Sequence, residues 1–181
     1  MSLEPATLQH TIALVGLMGV GKSTVGRKLA AALGLPFRDA DEEIEKAAGR
    51  TVSEIFADRG EAEFRAGERR VIARLLEEGP HVLATGGGAF MNPDTRALIK
   101  ARAISIWLRA DLEVLVRRVS RKGTRPLLAG REPREVLQKL MSERYPAYGE
   151  ADIVIDTDDQ PASAAVTAII QALERRLQDA R

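Results

Sequence analysis

The stretch Gly16-Leu17-Met18-Gly19-Val20-Gly21-Lys22-Ser23-Thr24 has the spacing G-x-x-x-x-G-K-[ST]. Glycine allows the backbone angles that turn successive N–H groups toward one bound phosphate, so Gly19, Val20, Gly21, Lys22, Ser23 and Thr24 are candidates to cradle a nucleotide. Lys22 would reach the β- and γ-phosphates, and the Ser23 hydroxyl would ligate magnesium. Asp39 and Asp41 lie two apart. On a strand their side chains point the same way and could both face a magnesium edge; a solvated strand end with a helix cap is the other reading. Arg65 and Arg144 are suited to clamp a substrate carboxylate through planar guanidinium groups, or else are surface arginines. Arg125, in a glycine-bearing basic stretch, could close over phosphates.

These residues need elements to position them. An apolar run, Thr11-Ile12-Ala13-Leu14-Val15, precedes the glycine loop, and Val25 to Leu33 has helical character, so the motif reads as strand, loop, helix. Phe37 to Asp41 reads as a short strand ending in carboxylates, and Glu42 to Ala48 as a helix closed by Gly49. Thr51-Val52-Ser53-Glu54 has the capping-box pattern of a helix start, and Glu61 to Glu78 reads as the longest clear helix. His81 to Thr85 is a short apolar run that delivers Gly86-Gly87-Gly88, a second loop able to approach something closely. Ala103 to Leu108 and Asp152 to Asp156 complete five strands separated by helical segments, with Pro161 opening the last helix. This alternation predicts an α/β fold, a parallel sheet covered by helices on both faces, with ligands beyond the carboxyl ends of the strands. Residues 120–131 show little apolar periodicity and are read as a mobile lid.

Composition narrows the function classes. The chain has no cysteine and two histidines, His10 and His81, which argues against zinc or thiol chemistry. Its 27 basic and 26 acidic residues give a net charge of +1, so there is no global attraction to nucleic acid or membrane. No run of about 18 apolar residues occurs, and the first ten residues lack an export pattern; a soluble cytoplasmic protein forming one domain is expected, its core over about residues 11–178. Charge is sorted locally. Asp39 to Glu45 carries only acidic charge, whereas Arg117 to Arg134 holds seven basic residues against Glu132 alone. That basic segment has no aromatic residue for base stacking, which disfavours nucleic acid. A GTP-dependent switch would carry N-K-x-D, yet the only asparagine, Asn92, precedes proline.

The assembled motifs resemble the shikimate kinase family over about residues 12–155. The run Asp39-Ala40-Asp41 with Ile44-Glu45, then Gly49 to Phe56, Gly60-Glu61, Phe64-Arg65 and Glu68, is similar to the family signature D-x-D…I-E…G-x-[ST]-[IV]-x-E-I-F…G-E-x-x-F-R-x-x-E. Gly86-Gly87-Gly88, Arg125-Pro126-Leu127-Leu128 and Arg144-Tyr145-Pro146-x-Tyr148 stand in the family's order. The resemblance implies a three-layer α/β/α, nucleoside-monophosphate-kinase-like fold. Its five-stranded parallel sheet has the order 2-3-1-4-5, with a substrate-binding region near residues 39–70, a lid near 120–134, and a monomeric state. It further implies Mg2+-dependent transfer of the ATP γ-phosphoryl group to the 3-hydroxyl of shikimate, on the route to chorismate and the aromatic amino acids. By the same resemblance Asp41 contacts the reacting hydroxyl as base, and Asp39 holds magnesium through water. Arg65 and Arg144 bind the shikimate carboxylate, and Gly86, Gly87 and Gly88 face ring hydroxyls. Lys22 and Arg125 neutralise the phosphates, while Arg118 and Pro161 flank adenine. A gluconate or nucleoside-monophosphate kinase on the same scaffold is the near alternative, to which the acceptor residues are less suited.

Overall fold

A computed structural model describes residues 8–121 and 130–181 of the chain. Five strands, β1 (Thr11–Val15), β2 (Phe37–Asp39), β3 (Val82–Ala84), β4 (Ala103–Arg109) and β5 (Ile153–Asp156), form one parallel sheet in the order β2-β3-β1-β4-β5. β1 is buried along its whole length and β4 along all but its last residue, as befits central strands covered on both faces. At the edge, β5 leaves Val154 exposed.

The helices are α1 (Lys22–Leu33), α2 (Ala40–Ala48), α3 (Val52–Glu77), α4 (Pro93–Arg102), α5 (Leu112–Arg121), α6 (Pro133–Tyr148) and α7 (Ala162–Asp179). α1 packs on α7, α2 on α3, and α5 on α6. Each buries an apolar stripe: Val25, Leu29 and Leu33 on α1, and Val166, Ile169 and Leu173 on α7.

Three local outcomes bear on function. β2 stops at Asp39 and α2 begins at Ala40, so Asp41 sits in the first helical turn and not on the strand. The strand ends early because Asp39 Oδ1 accepts from the N–H groups of Asp41, at 2.9 Å, and Glu42, at 3.3 Å, which caps the helix. The shared facing of the two carboxylates is therefore a strand-to-helix turn, not strand alternation. Second, α3 joins the two helices expected from sequence, with a break at Gly60 (φ 81°, ψ 174°). Its start is the predicted capping box: Thr51 Oγ1 accepts from Glu54 N at 3.2 Å, and Glu54 Oε2 accepts from Thr51 N at 3.3 Å. Third, α6 runs through Pro146 to Tyr148, because proline removes only its own N–H while Gly149 N still bonds Tyr145 O at 2.9 Å. Most of the predicted lid, with Arg125, lies outside the described residues.

Candidate active site

The site gathers on the carboxyl edge of the sheet, where the loop after β1, the end of β2 and the loop after β3 meet. Gly21, at φ 96°, turns the chain from the loop into α1, and neither a capping side chain nor an acidic first turn competes for the helix N-terminus. Its unbonded N–H groups and the helix dipole make an anion cradle. Lys22 Nζ lies over this loop, donating to Gly16 O at 2.7 Å and Leu17 O at 3.0 Å. A cavity of about 110 Å³ opens here, walled by Gly19, Lys22, Ser23, Thr24, Asp39 and Asp41.

Ser23 Oγ donates to Asp39 Oδ2 at 2.6 Å. The helix-cap reading of Asp39 is what its Oδ1 shows, and that bond to α2 orients Oδ2 toward Ser23 and the phosphate loop. A hydroxyl and a carboxylate oxygen, adjacent at the mouth of an anion cradle, are the hard donors a magnesium ion takes.

Next to it lies a second cavity of about 120 Å³, lined by Asp41, Arg65, Glu68, Gly86, Gly87, Gly88 and Arg144, with Met18, Val52, Phe56 and Phe64 as apolar walls. Every acceptor-side residue expected from sequence is brought together here. Arg65 Nη1 donates to Glu68 Oε1 at 2.9 Å, one turn along α3. Arg144 is 7% exposed and makes no ion pair among the described residues. A buried guanidinium without a carboxylate is costly, so its place beside an open cavity calls for an anion there.

The glycine triplet is explained by space. None of the three has a positive φ. A Cβ on Gly86 would stand 2.9 Å from Glu68 Oε2 and 3.1 Å from Asp41 Oδ1, and one on Gly87 2.9 Å from Arg144 Nη1; on Gly88 it would overlap the Arg65 guanidinium. Each glycine thus makes room for a different charged side chain. Thr85 anchors the loop, with its hydroxyl 2.8 Å from Leu14 O on β1.

Burial pushes the Asp41 carboxyl above the usual range, and the neighbouring Asp39 adds to the rise against Lys22 and Arg65. Burial likewise raises Glu68, only partly offset by Arg65. Glu68 Oε2 is buried with no hydrogen-bond partner among the described residues.

A third cavity, about 430 Å³, extends from Gly19, Val20, Gly21 and Thr24 to Arg118, Thr157, Asp158 and Pro161. Arg118 Nη1 donates to Val20 O at 3.0 Å and Nη2 to Asp158 O at 2.8 Å, spreading its guanidinium along one wall. Arg118 and Pro161 therefore both border the space contiguous with the phosphate loop.

Sequence reasoning gave no role to Glu68 or Tyr148, although both stand in the quoted motifs. Their signal is helical spacing: Glu68 is three residues after Arg65, and Tyr148 four after Arg144, on the same faces. Thr157, Asp158 and Gln160 in the third cavity had no local signal.

A phosphate loop on a 2-3-1-4-5 parallel sheet, with a hard-oxygen pair at its mouth and a separate cationic acceptor cavity, defines a small-molecule kinase of the nucleoside-monophosphate-kinase type. A family model described as shikimate kinase matches residues 18–174. The chain belongs to the shikimate kinase family. A shikimate kinase from Caulobacter vibrioides is 65% identical over 165 residues, covering 91% of this chain and 82% of the relative. One from Paramagnetospirillum magneticum is 56% identical over 164 residues, covering 91% of this chain and 84% of its own. Among solved structures, shikimate kinase from Acinetobacter baumannii in complex with shikimate superposes with a TM-score of 0.90 at 38% identity, over 94% of this chain and 96% of that one.

Proposed function

We propose that this chain transfers the γ-phosphoryl group of ATP to the 3-hydroxyl of shikimate, giving shikimate 3-phosphate and ADP. The observation that carries the reading is the buried Arg144 guanidinium, without a carboxylate partner among the described residues, bordering the same small cavity as Arg65. A compact acceptor bearing a carboxylate satisfies both arginines and leaves its hydroxyls toward Asp41 and the Gly86–Gly88 loop.

In this reading Gly19 to Thr24 and Lys22 bind the phosphates, with Arg118 and Pro161 beside the base. Asp41 holds the reacting hydroxyl and takes its proton as oxygen bonds to the γ-phosphorus and the bond to ADP breaks. Its raised carboxyl pKa suits that task, because a more basic carboxylate is a better proton acceptor. Ser23 and Asp39 are the residues that would hold Mg2+. When bound, the ion neutralises charge on the phosphoryl oxygens. Arg125, from the lid outside the described residues, adds positive charge over the phosphates. Catalysis is then positioning plus electrostatics, with no covalent enzyme intermediate. The protein works as a cytoplasmic monomer of one domain, without nucleic-acid or membrane partners; in support, no helix among the described residues is long and apolar enough to cross a membrane.

The test is ADP release from ATP with shikimate, gluconate or AMP as separate acceptors, with and without Mg2+. Turnover is expected with shikimate alone and only in the presence of the metal. Turnover with gluconate or AMP in its place would overturn the assignment.

A further inference from the structure

A fourth cavity, of about 380 Å³, lies between α2 and α3 and has no part in the proposed phosphoryl transfer. Glu63, Gly67, Arg70 and Arg74 follow one another at helical spacing on the face of α3 that lines it, whereas Arg65 and Glu68 look the other way into the acceptor cavity. Its floor is apolar: Ile44, Ile55, Phe64 and Val71 are each at most 8% exposed. Gly67 faces open space at the mouth, where a Cβ would meet only Arg70 Nη2, at 3.8 Å.

The rim is strongly basic. Of its arginines, Arg50 donates to Asp58 and Arg74 pairs with Glu43 at 3.6 Å. Arg59 and Arg70 make no ion pair among the described residues. Two exposed guanidinium groups without an ion pair, beside a single lining carboxylate, Glu63, and over a hydrophobic floor, match a ligand with one anionic end and an apolar body. Inorganic phosphate would leave the floor unfilled, and a neutral hydrocarbon would leave the arginines unmatched.

We propose that this cavity is a binding site for a small organic anion, an aromatic or alicyclic carboxylate, with its carboxylate at Arg59 and Arg70 and its ring on Phe64 and Ile55. Phe64 lines both this cavity and the acceptor cavity, and the Arg65 guanidinium lies 5.2 Å from its ring centroid. The occupant therefore rests on the wall that supports an acceptor-side arginine.

The probe is 1-naphthoate, compared with its neutral isostere 1-naphthamide, titrated calorimetrically into the full chain with saturating ADP, while methyl NMR follows Ile44, Ile55 and Val71. Naphthoate is expected to bind, to shift those methyl signals, and to bind at least ten-fold more tightly than the amide. The double substitution Arg59→Glu/Arg70→Glu should weaken it at least ten-fold, and Gly67→Leu, which fills the mouth, should abolish it, both leaving kcat unchanged. Absence of naphthoate binding, equal affinity for acid and amide, or undiminished binding by the double variant would each overturn the proposal. So would concentration-dependent dimerisation that the double variant abolishes, which would assign this face to a second copy.

Discussion

The phenolic hydroxyl of Tyr148 donates to the carbonyl oxygen of Gly87, joining the end of α6 to the loop after β3 across 61 positions of sequence. Tyr148 is fully buried, and burial pushes its hydroxyl up to about 12, so it remains a protonated donor throughout the working range. One helix thus supplies both the buried Arg144 and the bond that holds the backbone facing it. Tyr148→Phe keeps the ring packing against Trp107 and deletes the hydroxyl, with its bond to Gly87 and its contact with Arg144. Loss of about 1 kcal/mol of loop positioning should raise KM for shikimate roughly five-fold and leave KM for ATP unchanged. Steady-state kinetics with each substrate varied in turn will show it, and equal effects on both would indicate a general loss of structure.

In the proposed role the buried Arg144 meets the acceptor's carboxylate, so function and stability should separate there. Arg144→Met removes a buried charge that has no ion pair among the described residues, though Glu68 and the Tyr148 hydroxyl lie in its field, and keeps most of the volume. We expect KM for shikimate to rise about 100-fold, from the loss of a desolvated ion pair with the substrate. The unliganded protein should gain on the order of 1 kcal/mol, roughly 2–4 °C in Tm. Calorimetry of the apo variant beside kinetics checks both signs, and a lower Tm would show that Arg144 is satisfied within the chain.

Asp41 carries the clearest pH dependence. Burial and Asp39 raise its carboxyl in the folded protein, so its contribution to stability is fully present below the unfolded-state value of about 3.9 and is lost as pH rises through the raised folded-state value. Asp41→Asn removes that cost and should raise Tm at pH 7, with the gain shrinking on acidification. The same variant should lose about 10²–10⁴ in kcat with KM for ATP nearly unchanged. In the parent enzyme, kcat/KM should fall on the acid side with an apparent pKa above the ordinary aspartate range. Near-normal turnover by the variant would remove Asp41 from the role of base.

Asp39 does two jobs with two oxygens, and two substitutions separate them. Asn is as good a helix cap as Asp but has no charge, whereas Ala loses both. Both Asp39→Asn and Asp39→Ala should raise the Mg2+ concentration for half-maximal activity about ten-fold or more. Only Ala should also cost about 1 kcal/mol of stability. Magnesium titrations and urea unfolding of the pair will show whether the split holds.

The phosphate loop was legible in the sequence because its chemistry is local. Gly16 to Thr24 are contiguous, and the backbone angles that glycine permits, with the helix start at Lys22, build an anion cradle wherever the segment lies. The strand order and the roles of Asp41, Arg65 and Arg144 came from motif resemblance, since no local periodicity encodes which distant segments become neighbours. Tertiary structure alone decided the rest. It placed Asp41 on a helical turn capped by Asp39, where strand alternation had been the expectation. It gave Gly86, Gly87 and Gly88 their reason, as room for Asp41 with Glu68, for Arg144 and for Arg65, and a clearance of that kind is set by packing between elements. It also set the arginine-rimmed cavity behind Phe64, formed where α2 lies against α3, a space to which no stretch of the sequence drew attention.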